Sequence, residues 1–178
     1  VIDAMASLQG VPGRPRYVVA GRTHPKVLAA EGEAYRESLV ARARLAGVAD
    51  SVTFDAQYYG GAMLAALIQS SSVIVVPYDS TEQATSGVLV DAIASGRPVV
   101  ATAFPHAIEL LCGGAGLVVS HDDPDAMRTA LRQVLTQPRL AGSMAAEARQ
   151  LAPEMEWSVV ADAYVQLAQR VLAERRTQ

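Results

Sequence analysis

The chain predicts a doubly wound α/β fold, a parallel sheet with helices on both faces. Three observations predict it. Five short apolar runs alternate with segments of helical period. One of those runs, SVIVVP (Ser72 to Pro77), is apolar without alternation, the pattern of a strand buried on both faces. The 178 residues, 51% apolar and 19% charged, suit one globular domain. A domain of this size hides roughly 70% of its unfolded surface, enough for a real core.

The elements follow in order. Ile2, Met5, Ala6 and Leu8 share one face of an opening helix, which PGRP ends. RYVVAG (Arg16 to Gly21) is a short strand stopped by glycine, and RTHPKVLAAEG reads as an irregular loop. Glu33 to Ala46 is a helix with Tyr35, Leu39, Val40 and Ala43 turned inward and Gly47 as its stop. SVTF (Ser51 to Phe54) is a strand, and Gly61 to Ser70 a helix bearing Met63, Leu64, Leu67 and Ile68. After SVIVVP come a loop, a helix from Ser86 to Ser95, and the strand PVVAT (Pro98 to Thr102). A short helix covers His106 to Leu111, and GLVVS (Gly116 to Ser120) is the last strand. Asp123 is a natural N-cap, with Pro124 in the first turn and Asp125 at the positive end of the helix. Two further helices span Pro138 to Leu151 and Trp157 to Arg175. The opening segment VIDAMASL is already helical at Val1, so the chain reads as one domain with its upstream part missing.

Several functional classes are disfavoured. The net charge of −3, two Phe and one Trp, and no basic block give no nucleic-acid groove with stacking platforms. No apolar run reaches the ~18 residues of a membrane span. The single cysteine, Cys112, has no internal disulfide partner, which suits a reducing, cytoplasmic compartment; its simplest role is a small buried apolar residue. No metal-ligand spacing appears, so no metal and no separate cofactor are expected.

In open parallel sheets, ligands sit beyond the carboxyl ends of the strands. The loops to inspect are therefore Gly21 to Glu31, Asp55 to Gly60, Pro77 to Gly87 and Ala103 to Ile108. The third is the richest. Its STEQATSG leads into a helix whose first turn has free N–H groups and a partial positive charge, suited to phosphate. Gly87 admits close approach of a ligand to the backbone, and Thr85 and Ser86 add hydroxyls. Glu82, Gln83 and Asp91 are acceptors for sugar hydroxyls. Asp91 lies about one turn beyond Gly87 on nearly the same face. The plainer reading is an ordinary N-cap followed by a solvated Asp.

The phrase SGVLVDAIASGRPVVAT, followed by GAGLVV and DDPDAMRTAL, resembles the carboxyl-terminal half of GT-B retaining glycosyltransferases of the family 4, or group 1, type. The specific part of the resemblance runs from Pro77 to Ala130. It implies a Rossmann-like, nucleotide-sugar donor-binding domain. The absent amino-terminal domain would hold the acceptor, be it a glycan, a lipid or a small molecule. The family's E-x7-E pattern falls on Gln83 and Asp91. The resemblance thus gives Asp91 to the donor ribose and Gln83, or its neighbour Glu82, to the donor sugar. The stretch that approaches the donor phosphates falls on Ala84, Thr85 and Ser86, with Gly87 and Val88 following. A subgroup with QxTSG, THP and HAxELL is closer still, matching QATSG, RTHP and HAIELL here. One positive residue of the family lies just upstream of the first helix, outside this chain. The resemblance further implies retention at the anomeric carbon, no obligatory metal, weak transfer by the isolated domain, and a cytoplasmic enzyme with the membrane inner face as an alternative location.

Other loops offer further candidates. Arg22 and Thr23 stand beside a strand end, where Arg22 pairs with a diphosphate or is simply solvated. Tyr58 contacts the base or packs. His24, before Pro25, is structural or on the acceptor side, His106 orients a loop or contacts the donor, and His121 lies on the surface. Two rival readings remain. One is a nucleotide-sugar-binding module that has lost transfer. The other is a receiver-type signalling domain with Asp55 as phosphoacceptor, although the chain is about 50 residues too long for one and GLVVS ends in no lysine.

Overall fold

The alternating order read from the sequence is the order of the folded chain. The computed structural model describes residues 1–176. Helix α1 (Ile2–Leu8) leads to β1 (Tyr17–Ala20), α2 (Pro25–Glu31), α3 (Ala34–Leu45), β2 (Val52–Asp55) and α4 (Gly61–Ser70). Then come β3 (Ile74–Val76), α5 (Gly87–Ala94), β4 (Val99–Thr102), α6 (Pro105–Leu111) and β5 (Gly116–Val119). Helices α7 (Pro124–Thr136), α8 (Pro138–Leu151) and α9 (Trp157–Arg176) complete it.

All strand pairs are parallel, and helices cover both faces, as a Rossmann-like domain requires. The pairing falls into two sets. β1 pairs with β2, from Tyr17↔Val52 to Ala20↔Asp55. β4 lies between β3 and β5, with Val100 opposite Val75 and Leu117.

Two apolar clusters explain the layering. The first joins Ile2, Met5 and Leu8 of α1 to Ala43, Val52, Val100, Val119, Leu131 and Val134. The second joins Val76, Val99 and Ala101 to Leu89 and Ile93 of α5 and to Phe104, Ala107 and Leu111. β4 feeds both: Val100 enters one cluster and Val99 and Ala101 the other, following the period-two alternation of a strand. All four of its residues are buried. Helix α8 reaches both clusters too, Met144 in the first and Ala148 in the second.

Capping fixes the helix starts that bound the loops. His24 accepts the Lys26 N–H at its Nδ1 (3.2 Å), Ser86 caps α5 through Leu89 N–H (3.2 Å), and Asp123 caps α7 through Ala126 N–H (2.8 Å). Each N-cap oxygen or nitrogen satisfies a donor that the helix itself leaves free.

The structure corrects five details. The segment read as irregular after Gly21 contains α2, which buries none of its side chains and so has no apolar stripe to betray it. Tyr35 and Met63, expected inward, are exposed; Ala43 and Ile68 make the inward contacts of their helices. Cys112, expected to be buried, is exposed just past α6, where its thiol donates to the Glu109 carbonyl at 3.1 Å. His121 is not simply a surface residue, because its Nε2 is buried without a hydrogen-bond partner. β3 is buried through Val76 only, with Ile74 and Val75 partly covered.

Candidate functional site at the strand ends

Because the strands are parallel, their carboxyl ends open on one side of the domain. The β3–α5 loop is anchored from below by β4 and α6. Thr102 donates its hydroxyl to the Tyr78 carbonyl at 2.7 Å, and the Tyr78 ring tilts against Phe104 with centroids 5.0 Å apart. Phe104 is fully buried. The Tyr78 hydroxyl and Ser86 Oγ form a hydrogen-bonded pair at 3.1 Å. The Ser86 N–H donates to His106 Nδ1 at 2.9 Å. His106 thus orients the loop, one of its two expected roles.

Ser86 is buried, and both its hydroxyl and its amide are engaged within the protein. The Val90 N–H returns to the Ser86 carbonyl at 3.2 Å. The amides of Gly87 and Val88 remain as the open donors of the first turn. The space over Gly87 is clear: no atom lies within 4 Å of where a Cβ would stand. Asp91 is exposed one turn further along α5. Glu82 is exposed and donates its backbone N–H to Ser80 Oγ at 3.3 Å. Gln83 turns its Nε2 onto the Thr85 carbonyl at 2.5 Å. Thr85 and Val88 are exposed on the same loop and turn.

Arg22, Thr23 and Tyr58 meet elsewhere, in a cleft of about 1200 Å³ at the ends of β1 and β2. His24, Glu33, Arg36, Glu37 and Arg44 complete its polar lining, and none of the β3–α5 loop residues contributes. Thr23 donates to Glu33 Oε2 at 2.9 Å. Arg36 reaches Thr23 Oγ1 with its Nε (3.4 Å) and the Gly21 carbonyl with Nη2, while its buried Nη1 has no partner. Arg36 carries no signal in the sequence, since it sits among the alternating charges of a largely solvated helix. Tyr58 is exposed and free to meet a ligand. Its neighbour Tyr59 instead donates to Asp55 Oδ2 at 2.5 Å. That bond, then the Gln57 amide at 2.9 Å, holds the Asp55 carboxyl below the usual range, and the same bond raises the Tyr59 phenol. His24 is committed to its helix cap.

Among the described residues no group of three or more His, Cys, Asp or Glu side chains is placed to hold a metal ion. No described helix is long and apolar enough to cross a membrane.

The parallel strands with helices on both faces, and the capped start of α5 beyond the edge strand β3, form the Rossmann-like fold found in GT-B glycosyltransferases. The chain belongs to the group 1 glycosyl transferases, whose family model matches residues 2–137. No curated protein sequence matches it. Solved structures do. Sucrose-phosphate synthase from Thermosynechococcus elongatus superposes with a TM-score of 0.78 at 22% identity, over 97% of this chain and 42% of that one. The α,α-trehalose 6-phosphate synthase of Burkholderia multivorans gives 0.79 at 20% identity, over 99% and 40%. Anabaena Alr3699/HepE, solved in complex with UDP-glucose, gives 0.78 at 20%, over 97% and 44%. The chain spans less than half the length of these proteins.

Proposed function

We propose that this chain is the donor half of a retaining glycosyltransferase of the family 4 type, which moves a sugar from a nucleoside diphosphate sugar to an acceptor held by a preceding domain. One observation carries the reading. Ser86 is fully used inside the protein, which fixes the start of α5 and leaves the Gly87 and Val88 amides open beneath clear space. Fixed donors aimed at a diphosphate stabilise the charge that develops as the sugar departs, without reorganising at the moment of reaction. Asp91, about one turn beyond, takes the ribose hydroxyls. Gln83 takes the sugar, and Glu82 replaces it if the loop moves by one residue. Thr85 lines the mouth. Arg22, Thr23 and Tyr58 meet the diphosphate or base from the β1 and β2 ends. No metal and no separate cofactor take part, the acceptor is a glycan, lipid or small molecule, and the enzyme works in the cytoplasm or at the inner membrane face through its other domain. The isolated chain, lacking that domain, transfers little.

The test is calorimetric titration of the full-length protein with a panel of nucleoside diphosphate sugars, with transfer assayed for the donor that binds. Losing a hydrogen bond to a charged group costs about 1.5–3 kcal/mol, so Asp91→Ala should weaken donor binding about 10- to 150-fold. Unchanged affinity and rate in that variant would refute the ribose assignment. Gln83→Ala separates an enzyme from a binder: lost transfer with retained nucleoside diphosphate affinity marks a sugar contact. A wild-type protein that binds but never transfers is the non-catalytic module.

A further inference from the structure

Residues 21 to 24 lead from β1 into α2 beside the cleft, and three of the four are tied down. Gly21 turns the chain with φ +116°, a backbone region that glycine enters readily and other residues rarely. Its N–H donates to the Asp55 carbonyl at 2.8 Å, and its carbonyl accepts from Arg36 Nη2. Thr23 Oγ1 accepts from Arg36 Nε at 3.4 Å and donates to Glu33 Oε2 at 2.9 Å. His24 caps α2 through the Lys26 N–H. Arg22 is left out of this scaffold. It is exposed and, among the described residues, makes no ion pair and no side-chain hydrogen bond.

The two residues that hold the loop go against the rules of their own helix. Glu33 is the N-cap of α3, yet its carboxylate makes no cap hydrogen bond and takes Thr23 instead. Arg36 is the third residue of α3, where the helix dipole favours an acid and opposes a cation. Neither placement helps α3, and both are explained by the loop they hold. Local conflicts of this kind gather at functional sites. Arg36 has the geometry for the task. Its guanidinium is planar with donors in a fixed fork, so one side chain holds two acceptors two residues apart. Those acceptors, the Gly21 carbonyl and the Thr23 hydroxyl, flank Arg22 in the chain. The remaining guanidinium nitrogen, Nη1, is buried without a partner. With two nitrogens engaged and the third covered, Arg36 offers a ligand little, although it lines the cleft. Its charge reaches the end of β2 as well: the Asp55 carboxyl, held low first by Tyr59 and then by the Gln57 amide, also feels Arg36.

We infer that Arg36 is a positioning residue whose fork clamps the residues before and after Arg22, so that Arg22 stands as a free, pre-placed cation for an anionic group of the ligand in the cleft. Naming that group as the diphosphate of a nucleoside diphosphate sugar rests on the proposed donor reading; the clamp itself does not. Placement matters because a cation already held in position loses less freedom on binding than one on a loose loop. Removing the fork therefore weakens binding without removing a group that touches the ligand. Arg36→Lys keeps the charge, but a single ammonium on a flexible stem cannot hold both acceptors in one geometry. A role that depends on charge and a role that depends on the fork thus separate at this one substitution.

Two measurements on the full-length protein test it. The first is hydrogen exchange without ligand, read on peptides covering residues 20 to 26, where the Gly21 amide is bonded to Asp55. Arg36→Met should speed exchange there at least about 10-fold, the effect of losing a hydrogen bond to a charged group, while α7 keeps its wild-type rates. Unchanged rates at residues 20 to 26, or equal acceleration of α7 from general loosening, overturn the clamp. Thr23→Val removes one of the two acceptors and little volume. It should give a smaller acceleration in the same peptides, and it decides the matter if Arg36→Met does not fold. The second measurement is calorimetric titration with UDP, GDP and ADP. For whichever binds, Arg36→Met and Arg36→Lys should each weaken binding about 10-fold. Arg22→Ala/Arg36→Met should bind no more weakly than Arg22→Ala alone. Wild-type affinity in Arg36→Lys, or additive losses in the double variant, would show that Arg36 acts on the ligand by its own charge and overturn the positioning role. Binding of none of the three overturns the donor reading and the ligand named for Arg22, and the exchange result then decides the clamp alone.

Discussion

Single residues here often do work that their sequence neighbourhood does not announce. Ser86 reads as a candidate ligand group, yet its hydroxyl and amide are spent on Leu89, Tyr78 and His106. The pairing with His106 spans 20 positions and was visible only as a histidine at a second strand end. The open groups are instead the amides that follow it, which have no side-chain signature at all. Tyr17 illustrates a different effect. Partly buried against the first cluster, its phenol is raised to about 12, first by desolvation and then by the nearby Tyr35. The native state keeps this proton while the unfolded chain releases it near pH 10. Unfolding therefore loses a proton between those values, and stability present below pH ~10 is lost as pH rises towards ~12. The effect is at most about 2.7 kcal/mol, two pH units at 1.36 kcal/mol each. Urea midpoints compared for wild type and Tyr17→Phe at about pH 9 and about pH 11 isolate it. The wild type should lose more stability over that interval, and equal losses would show that the phenol is not held protonated by burial.

At the scale of elements, the sequence made visible what local chemistry decides. Strand runs, the Asp123–Pro124 start of α7 and the alternation of α and β emerged because capping, proline and apolar period act over a few residues. Helix α2 did not, since it buries nothing and its only signals were a histidine cap and Pro25. Tyr35 and Met63 share a helical stripe with buried residues but are themselves exposed, a fact set by tertiary neighbours. The split between β1 and β3 was equally hidden, because pairing joins segments far apart in sequence. Packing at β5 shows how narrowly such a join is set. A Cβ on Gly116 would stand 2.6 Å from the Val99 carbonyl and 3.0 Å from a Leu111 methyl. Backbone on one side and a buried leucine on the other leave it no escape. Gly116→Ala should cost about 1–3 kcal/mol, the usual range for overpacking. Chemical denaturation reads the cost, and a midpoint within error of wild type would mean that β5 shifts freely against β4.

For the molecule as a whole, the question is whether its two clusters fold as one. They lie on opposite faces of the strands and are joined through α8, β3 and above all β4, which is buried throughout and whose Val100 faces one side and Val99 and Ala101 the other. A strand cannot lose its packing on one face and hold its register on the other, because hydrogen bonds to β3 and β5 run through the same backbone. Leu8 in the first cluster and Ile93 in the second are both fully buried. Replacing either with alanine should cost about 2–5 kcal/mol. If β4 couples the faces, Leu8→Ala also speeds the exchange of amides in α5, which lies across the sheet from the altered side chain. The acceleration should match that seen in β4 itself, since both open in the same event. Native-state hydrogen exchange on the full-length protein makes the comparison. Leu8→Ala leaving the α5 amides at wild-type rates would show two faces that open separately. The start of α5, with its Gly87 and Val88 donors, would then be set by the second cluster alone, and mutations near α1 could not reach the site through the core.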